Sequence, residues 1–350
     1  MTTKNKNLVY FEEWADPVAE TMLDGVDGIT LHKLAFGDAE EANWEALATA
    51  HGYQLRATYE IQEPYFPKKP LIERCPNLLA FSVTGSGYDM IDVDACTEAG
   101  ILVVNQAGAN APSVAQHVLG MMLALSKQIV QGDRQMRRGP GDWGRWDFKG
   151  RELTGRTIGI IGLGNVGRRI SALMGGVFDM TVLAYDPYIS DQDFKERGAE
   201  KAGFDDIFRR SDFVSVNCPL TEETSHMIGA AEYRMMKRSA YFITTARGGI
   251  QDETALAQVL SEGLIAGAGL DVFDPEPPAA DHPLMAFDNV IISPHVAGIT
   301  DDSLYNMAEY AAKQWLTIFN GARPPRLINP DAWPKYRGRF AAIIGGAVED

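Results

Sequence analysis

Residues 157–161 form a short apolar run, Thr157-Ile158-Gly159-Ile160-Ile161, and Gly162-Leu163-Gly164-Asn165-Val166-Gly167 follows at once. Residues 168–174 then show helical spacing of apolar side chains. A strand that turns through spaced glycines into a helix opens a βαβ unit of a parallel sheet. Each glycine has its own physical reason. Gly162 permits a tight turn, Gly164 lets the backbone approach a diphosphate, and Gly167 lets the helix pack closely on the strand. Asn165 and Val166 complete the loop, and the helix N-terminus beyond it favours negative charge. Asp186 closes the next predicted strand, 181–185. A carboxylate there accepts hydrogen bonds from an adenosine ribose and repels a 2′-phosphate. Pro187-Tyr188 supplies no arginine in its place. The pattern predicts a dinucleotide site that takes NAD rather than NADP.

A second set of residues follows in chain order. Arg247 lies in Thr244-Thr245-Ala246-Arg247-Gly248-Gly249, Glu276 in Asp271-Val272-Phe273-Asp274-Pro275-Glu276-Pro277, and His295 in Ser293-Pro294-His295. Each comes after a predicted strand, so each is expected at the C-terminal sheet edge where ligands bind. A guanidinium holds a carboxylate in fixed geometry and polarises a carbonyl. An imidazole can take and return a hydroxyl proton near neutrality. A carboxylate beside an imidazole favours the imidazolium and fixes its tautomer. Taken singly, Arg247 reads as a surface arginine, His295 as a satisfied structural histidine and Glu276 as an acid in a proline-rich loop. Their order behind a dinucleotide site points to hydride transfer to or from a 2-hydroxy or 2-oxo acid.

Length and charge narrow the partners. A chain of 350 residues suggests two domains. Its 32 Lys and Arg against 47 Asp and Glu give a net charge of −15. That argues against nucleic acid, which needs clustered cations. It also means that a site for a small anion must carry its own local cations. No apolar run approaches the roughly 18 residues of a membrane span, and Met1-Thr2-Thr3-Lys4-Asn5 leads into Leu8-Val9-Tyr10-Phe11 without a leader pattern. Cys75, Cys96 and Cys218 are too widely spaced for a disulfide framework or a metal cluster, so no metal is expected and the cytoplasm is the expected compartment.

Along the chain, the first series predicts strands at 8–11, 78–84 and 101–104. It predicts helices at 44–51, closed by Gly52, and at 91–99. A long helix is expected over 113–137, ended by Gly139-Pro140-Gly141. Trp143 and Trp146 follow in an arm expected to pack on a partner subunit. The second series predicts strands at 157–161, 181–185, 213–217, 241–244, 267–270 and 290–292, then a helix over 300–319 crossing back to the first domain. This rhythm predicts an α/β fold with parallel, doubly wound sheets.

These motifs resemble the D-isomer-specific 2-hydroxyacid dehydrogenases, which include D-3-phosphoglycerate dehydrogenase and glyoxylate/hydroxypyruvate reductase. The resemblance covers nearly the whole chain. It rests on Val83-Thr84-Gly85-Ser86-Gly87-Tyr88-Asp89, Asn110-Ala111-Pro112-Ser113-Val114-Ala115, the glycine fingerprint, Thr245-Ala246-Arg247-Gly248-Gly249, Leu270-Asp271-Val272-Phe273 and Ser293-Pro294-His295. It implies two Rossmann-like domains with the active site in the cleft between them. A flavodoxin-like substrate domain would comprise 1–109 and 301–350, and a larger NAD-binding domain 110–300. It implies Arg247, Glu276 and His295 as the catalytic residues, and substrate carboxylate binding by backbone amides at Ser86 and Gly87. Cys218, Pro219, Thr224 and Thr245 would line the cofactor, with Asp271 at its nicotinamide end. A homodimer through the NAD-binding domain is also implied.

Asn217-Cys218-Pro219-Leu220-Thr221 resembles the formate dehydrogenase branch, where many hydroxyacid enzymes have His before Pro-Leu-Thr. Glu276 weighs against formate. Those enzymes carry glutamine there, and oxidising formate leaves no hydroxyl proton to collect. Tyr88 is larger than the residue usual in its loop. Residues 59–69 and the tail 329–350 are unfamiliar, and the tail, with Trp333, Tyr336 and Phe340, is expected on the substrate domain or near a neighbouring subunit. NAD(H)-sensing corepressors of the C-terminal-binding-protein type share the fold and form the alternative class. Arg56, Lys68 and Lys69 are the candidate cations for a phosphorylated substrate.

Overall fold

The computed structural model describes residues 5–56 and 60–345. The first four residues of the leader reading, Tyr59 of the unfamiliar stretch and the last five residues of the tail lie outside that range. The chain divides into two compact units, Met1–Asn110 with Ile299–Asp350, and Ala111–Gly298.

The first unit holds five strands: β1 (Lys6–Phe11), β2 (Ile29–Leu34), β3 (Gly52–Leu55), β4 (Ala80–Val83) and β5 (Leu102–Val104). Their order is β2-β1-β3-β4-β5, and every pairing is parallel. This is the flavodoxin-like order. Alternate residues of β1 feed two cores. Leu8 and Tyr10 join Trp315, Phe319 and Tyr336 on one face, and Val9 and Phe11 join Trp44, Tyr53 and Phe81 on the other.

Two strands of this unit escaped the sequence pattern. β2 is half-exposed and carries Thr30, His32 and Lys33, and β3 has only four residues. Gly52 does not cap the preceding helix, which runs over Glu40–Thr49 and ends at an extended Ala50. It opens β3, where a Cβ would lie 2.4 Å from the Trp315 ring. The helix Asp301–Phe319 belongs to this unit and is capped by Thr300, whose hydroxyl accepts from Ser303 N. The tail forms a helix, Trp333–Ile343, that buries Trp333, Tyr336 and Phe340. Arg339 ties it down by donating to the carbonyls of Leu78, Pro76 and Ala99.

The second unit holds β6 (Thr157–Ile161), β7 (Thr181–Tyr185), β8 (Glu200–Lys201), β9 (Phe213–Val216), β10 (Tyr241–Thr244), β11 (Gly267–Leu270) and β12 (Val290–Ile292). The order is β12-β11-β10-β9-β6-β7-β8, again all parallel. Counted from β6, this is the 3-2-1-4-5-6 order of dinucleotide-binding sheets with a seventh strand added. The chain is thus an α/β protein with two doubly wound, Rossmann-like domains.

The expected helix over 113–137 is two helices, Ala111–Ser126 and Ile129–Arg138. Gln128 between them is left-handed, at φ 54°. The Ser126 carbonyl, which would accept inside a continuous helix, accepts instead from Arg151 N at 2.7 Å. Gly150 makes that approach possible, since a Cβ there would lie 2.5 Å from Ser126 O. In the following arm, Trp143 packs edge-on against Phe148, and Trp146 is 73% exposed.

Candidate active site

The strand order of the second unit reverses between β6 and β9, which opens a crevice at their C-terminal ends. Gly162, at φ 88°, turns the chain there, and a Cβ on it would lie 2.8 Å from Cys218 N. Gly167 begins the helix Gly167–Phe178, and its Cβ would strike Gly162 O at 2.2 Å. Gly164 differs, because a Cβ there would meet nothing within 4 Å. The three glycines thus separate as their spacing predicts: one turns, one packs, and one faces open space.

Asp186 is held by two amides, Leu163 N on Oδ2 at 3.0 Å and Tyr188 N on Oδ1 at 3.1 Å. Its carboxylate therefore sits against the glycine loop. Asn165 Oδ1 accepts from Arg168, and Val166 precedes the helix. Thr224 Oγ1 donates to Pro219 O at 2.7 Å and accepts from Thr221 N, which fixes the loop after Cys218. Burial pushes the Cys218 thiol up to about 11, so it stays neutral. Two buried atoms, Asn217 Oδ1 and Thr245 Oγ1, have no hydrogen-bond partner among the described residues. Unpaired buried polar atoms are costly and point to a missing ligand or water. With the open face of Gly164, they fit a dinucleotide lying along this crevice.

β10, β11 and β12 are adjacent, and their last residues, Thr244, Leu270 and Ile292, stand level in register. The loops that follow must emerge side by side, which brings together residues distant in sequence. His295 Nδ1 and Glu276 Oε2 are 2.7 Å apart. Glu276 Oε1 accepts from Phe273 N at 2.9 Å. Burial alone would raise the Glu276 pKa. The bonds from His295 and Phe273 N, with the charges of His295 and Arg247, outweigh it and hold the group below its ordinary value. Arg247, after β10, is thus near enough to act on Glu276, and its Nη1 donates to Ala246 O.

His295 has φ 54°, a left-handed conformation that costs a non-glycine residue on the order of 1–2 kcal/mol. The buried Asp271 holds it there. Asp271 Oδ1 accepts from Val296 N and from Ser293 Oγ at 2.5 Å, and Oδ2 accepts from Ala297 N at 2.8 Å. His295 N donates to Asp271 O at 2.8 Å. Helix Ala111–Ser126 grips the same loop with two side chains one turn apart. Ser113 Oγ donates to Ala297 O at 2.7 Å, and His117 Nε2 lies 2.9 Å from Ser293 Oγ.

Sequence reasoning missed His117 as part of this site, and read Ser113 and Ser293 only as parts of motifs. One signal was available. Ser113 and His117 are four apart, so they share a face of the helix that Pro112 opens.

Ser86 and Gly87 belong to the first unit, where Ser86 O accepts from Asn105 Nδ2 at 2.7 Å. Arg56 is engaged by Glu60 at 2.7 Å and by Glu13 O. Among the described residues, no helix is long and apolar enough to cross a membrane.

Residues 119–297 match the family model described as "D-isomer specific 2-hydroxyacid dehydrogenase, NAD binding domain". A glyoxylate reductase of Thermofilum pendens is 39% identical over 264 residues, 75% of this chain and 78% of that protein. A D-3-phosphoglycerate dehydrogenase of Archaeoglobus fulgidus is 38% identical over 79% of this chain, which spans only 55% of that longer protein. Among solved structures, the D-lactate dehydrogenase of Aquifex aeolicus in complex with NAD and lactic acid superposes with a TM-score of 0.76. It is 28% identical, over 92% of this chain and 99% of that one. The chain belongs to the D-isomer specific 2-hydroxyacid dehydrogenase family, and its second unit carries that family's NAD binding domain.

Proposed function

We propose that this protein reduces a small 2-oxo acid to the 2-hydroxy acid, the D isomer where C2 becomes a stereocentre, reversibly, with His295 as the proton donor and acceptor. The observation that carries the reading is the 2.7 Å contact between His295 Nδ1 and Glu276 Oε2, at the end of the strand next to Asp271. A carboxylate on Nδ1 fixes the proton there and leaves Nε2 as the working nitrogen. Bound nicotinamide supplies the hydride in reduction and accepts it in oxidation. In reduction His295 gives its Nε2 proton to the C2 oxygen, and Glu276 stabilises the imidazolium before transfer. In oxidation His295 Nε2 takes the hydroxyl proton. Arg247 orients the substrate carboxylate and polarises the 2-oxo group, where its fork geometry suits both tasks. Asp186 favours NAD over NADP by accepting ribose hydroxyls and repelling a 2′-phosphate. Cys218, Pro219, Thr224 and Thr245 line the rest of the cofactor, while the Asp271 side chain, expected at its nicotinamide end, is buried and holds the His295 loop instead.

Glyoxylate is the substrate of choice, given the length and identity shared with the glyoxylate reductase. The phosphoglycerate alternative is less favoured, because Arg56 is already paired with Glu60. The test is NADH oxidation against glyoxylate, hydroxypyruvate, pyruvate and phosphohydroxypyruvate, repeated with NADPH. Turnover with NADH on an unphosphorylated acid supports the reading. Tight NADH binding without turnover on any acid would favour an NAD(H)-sensing protein.

The same reading extends to assembly as a homodimer through the second unit. Trp146 in the arm, and Ile129 and Met136 on the helix before it, are exposed apolar side chains, which supports a contact there. Sedimentation should give a dimer that Trp146→Ala weakens, and a wild-type monomer would refute it.

A further inference from the structure

The loop carrying Glu276 is held from behind by a second carboxylate–imidazole pair that the reaction does not use. Glu253 is the first residue of helix Glu253–Ser261, and its side chain is only 9% exposed. Its Oε1 accepts from Asp274 N at 3.1 Å, and its Oε2 lies 3.1 Å from His282 Nε2. His282 Nδ1 accepts from Leu284 N at 3.4 Å, which leaves Nε2 as the nitrogen facing Glu253. The His282 ring also meets Phe273 edge-on, with centroids 5.5 Å apart. The pair therefore grips Phe273 and Asp274, the two residues just ahead of Pro275-Glu276.

The Arg247 loop leans on the same two residues. A Cβ on Gly248 would lie 2.0 Å from Phe273 O and 2.8 Å from Asp274 N. Phe273 N is itself the donor to Glu276 Oε1. The Phe273–Asp274 backbone is thus a common seat for Arg247 and Glu276, and Glu253 with His282 fixes its position. The contact between Glu253 and His282 acts on the geometry of that seat.

We propose that Glu253 and His282 are positioning residues that set where Glu276 meets His295. Neither needs to touch substrate or cofactor. The proposal rests on the reading of Glu276 and His295 as the acid–base pair. A misplacement of about 1 Å at such a pair costs up to about a hundredfold in rate.

The test compares Glu253→Ala, Glu253→Gln, His282→Phe and Glu276→Gln as full-length proteins, with glyoxylate and NADH. The readouts are kcat and KM, the pH profile of kcat, NADH affinity by fluorescence, and Tm. Glu253→Ala should lower kcat about tenfold to a hundredfold with NADH affinity unchanged. Its reduction profile should lose activity at lower pH than wild type, in the direction set by Glu276→Gln. Glu253→Gln keeps an acceptor for Asp274 N and should recover most of kcat. His282→Phe keeps the ring on Phe273, loses the polar contact with Glu253, and carries the test if Glu253→Ala does not fold. Wild-type kcat and pH profile in Glu253→Ala and His282→Phe, with or without a lower Tm, would overturn the proposal. If Glu276→Gln itself leaves the profile unmoved, the acid–base reading fails instead.

Discussion

His295 shows how one residue's chemistry depends on its backbone. The left-handed turn aims the ring at Glu276, and the Asp271 carboxylate stabilises that turn through three donors. Replacing the imidazole removes the proton carrier without altering that frame. His295→Gln should therefore lose about two to four orders of magnitude in kcat while NADH affinity holds, as steady-state kinetics and fluorescence titration would show. For Glu276→Gln the sign follows from its depressed pKa, which reports that its charge and that of His295 favour each other. Losing the carboxylate removes the charge that Glu276 sets against His295, so reduction should fail at lower pH than in wild type, as the pH profile of kcat would show. Arg247, Glu276 and His295 were legible because each follows a strand of recognisable pattern. Glu253, His282 and His117 were not, because their roles exist only through contacts with residues 21 to 176 positions away.

At the scale of elements, β10, β11 and β12 do the assembling. Their level ends place three loops side by side, and helix Ala111–Ser126 clamps the last of them. Ser113→Ala should cost about 1 kcal/mol and lower kcat, with Ser113→Thr restoring both, as chemical denaturation and kinetics would show. Helix Glu253–Ser261 contributes a pH dependence of stability. Burial above all pushes Glu253 from its ordinary 4.5 up to about 7. A raised folded-state value means that the contribution is full below 4.5 and is lost as pH rises through about 7. Wild type should accordingly lose more stability than Glu253→Gln between about pH 5 and about pH 8, and equal losses would contradict it. Six of the seven strands of the second unit were legible from apolar runs and glycine punctuation, and β8, two exposed charged residues, was not. The break at Gln128 was not, because it depends on Arg151 taking the Ser126 carbonyl from across the fold.

At the scale of the molecule, two sheets of known strand order divide the chain, and each has its own cores. The tail helix Trp333–Ile343 completes one core of the first unit with Tyr336 and Phe340. Phe340→Ala should destabilise that unit by about 3–5 kcal/mol, read by denaturation, while NADH still binds the second unit. Tail packing was foreseen only as one of two options, since its aromatic spacing says that it is buried but not against what. The central claim is proton transfer by His295 in an NADH-dependent 2-oxo acid reductase, and its most direct test is one assay. NADH consumption with glyoxylate is followed for wild type and His295→Gln, each against an NADPH control. The account predicts turnover by wild type with NADH, much less with NADPH, and almost none by the variant. Equal turnover by both proteins would contradict it.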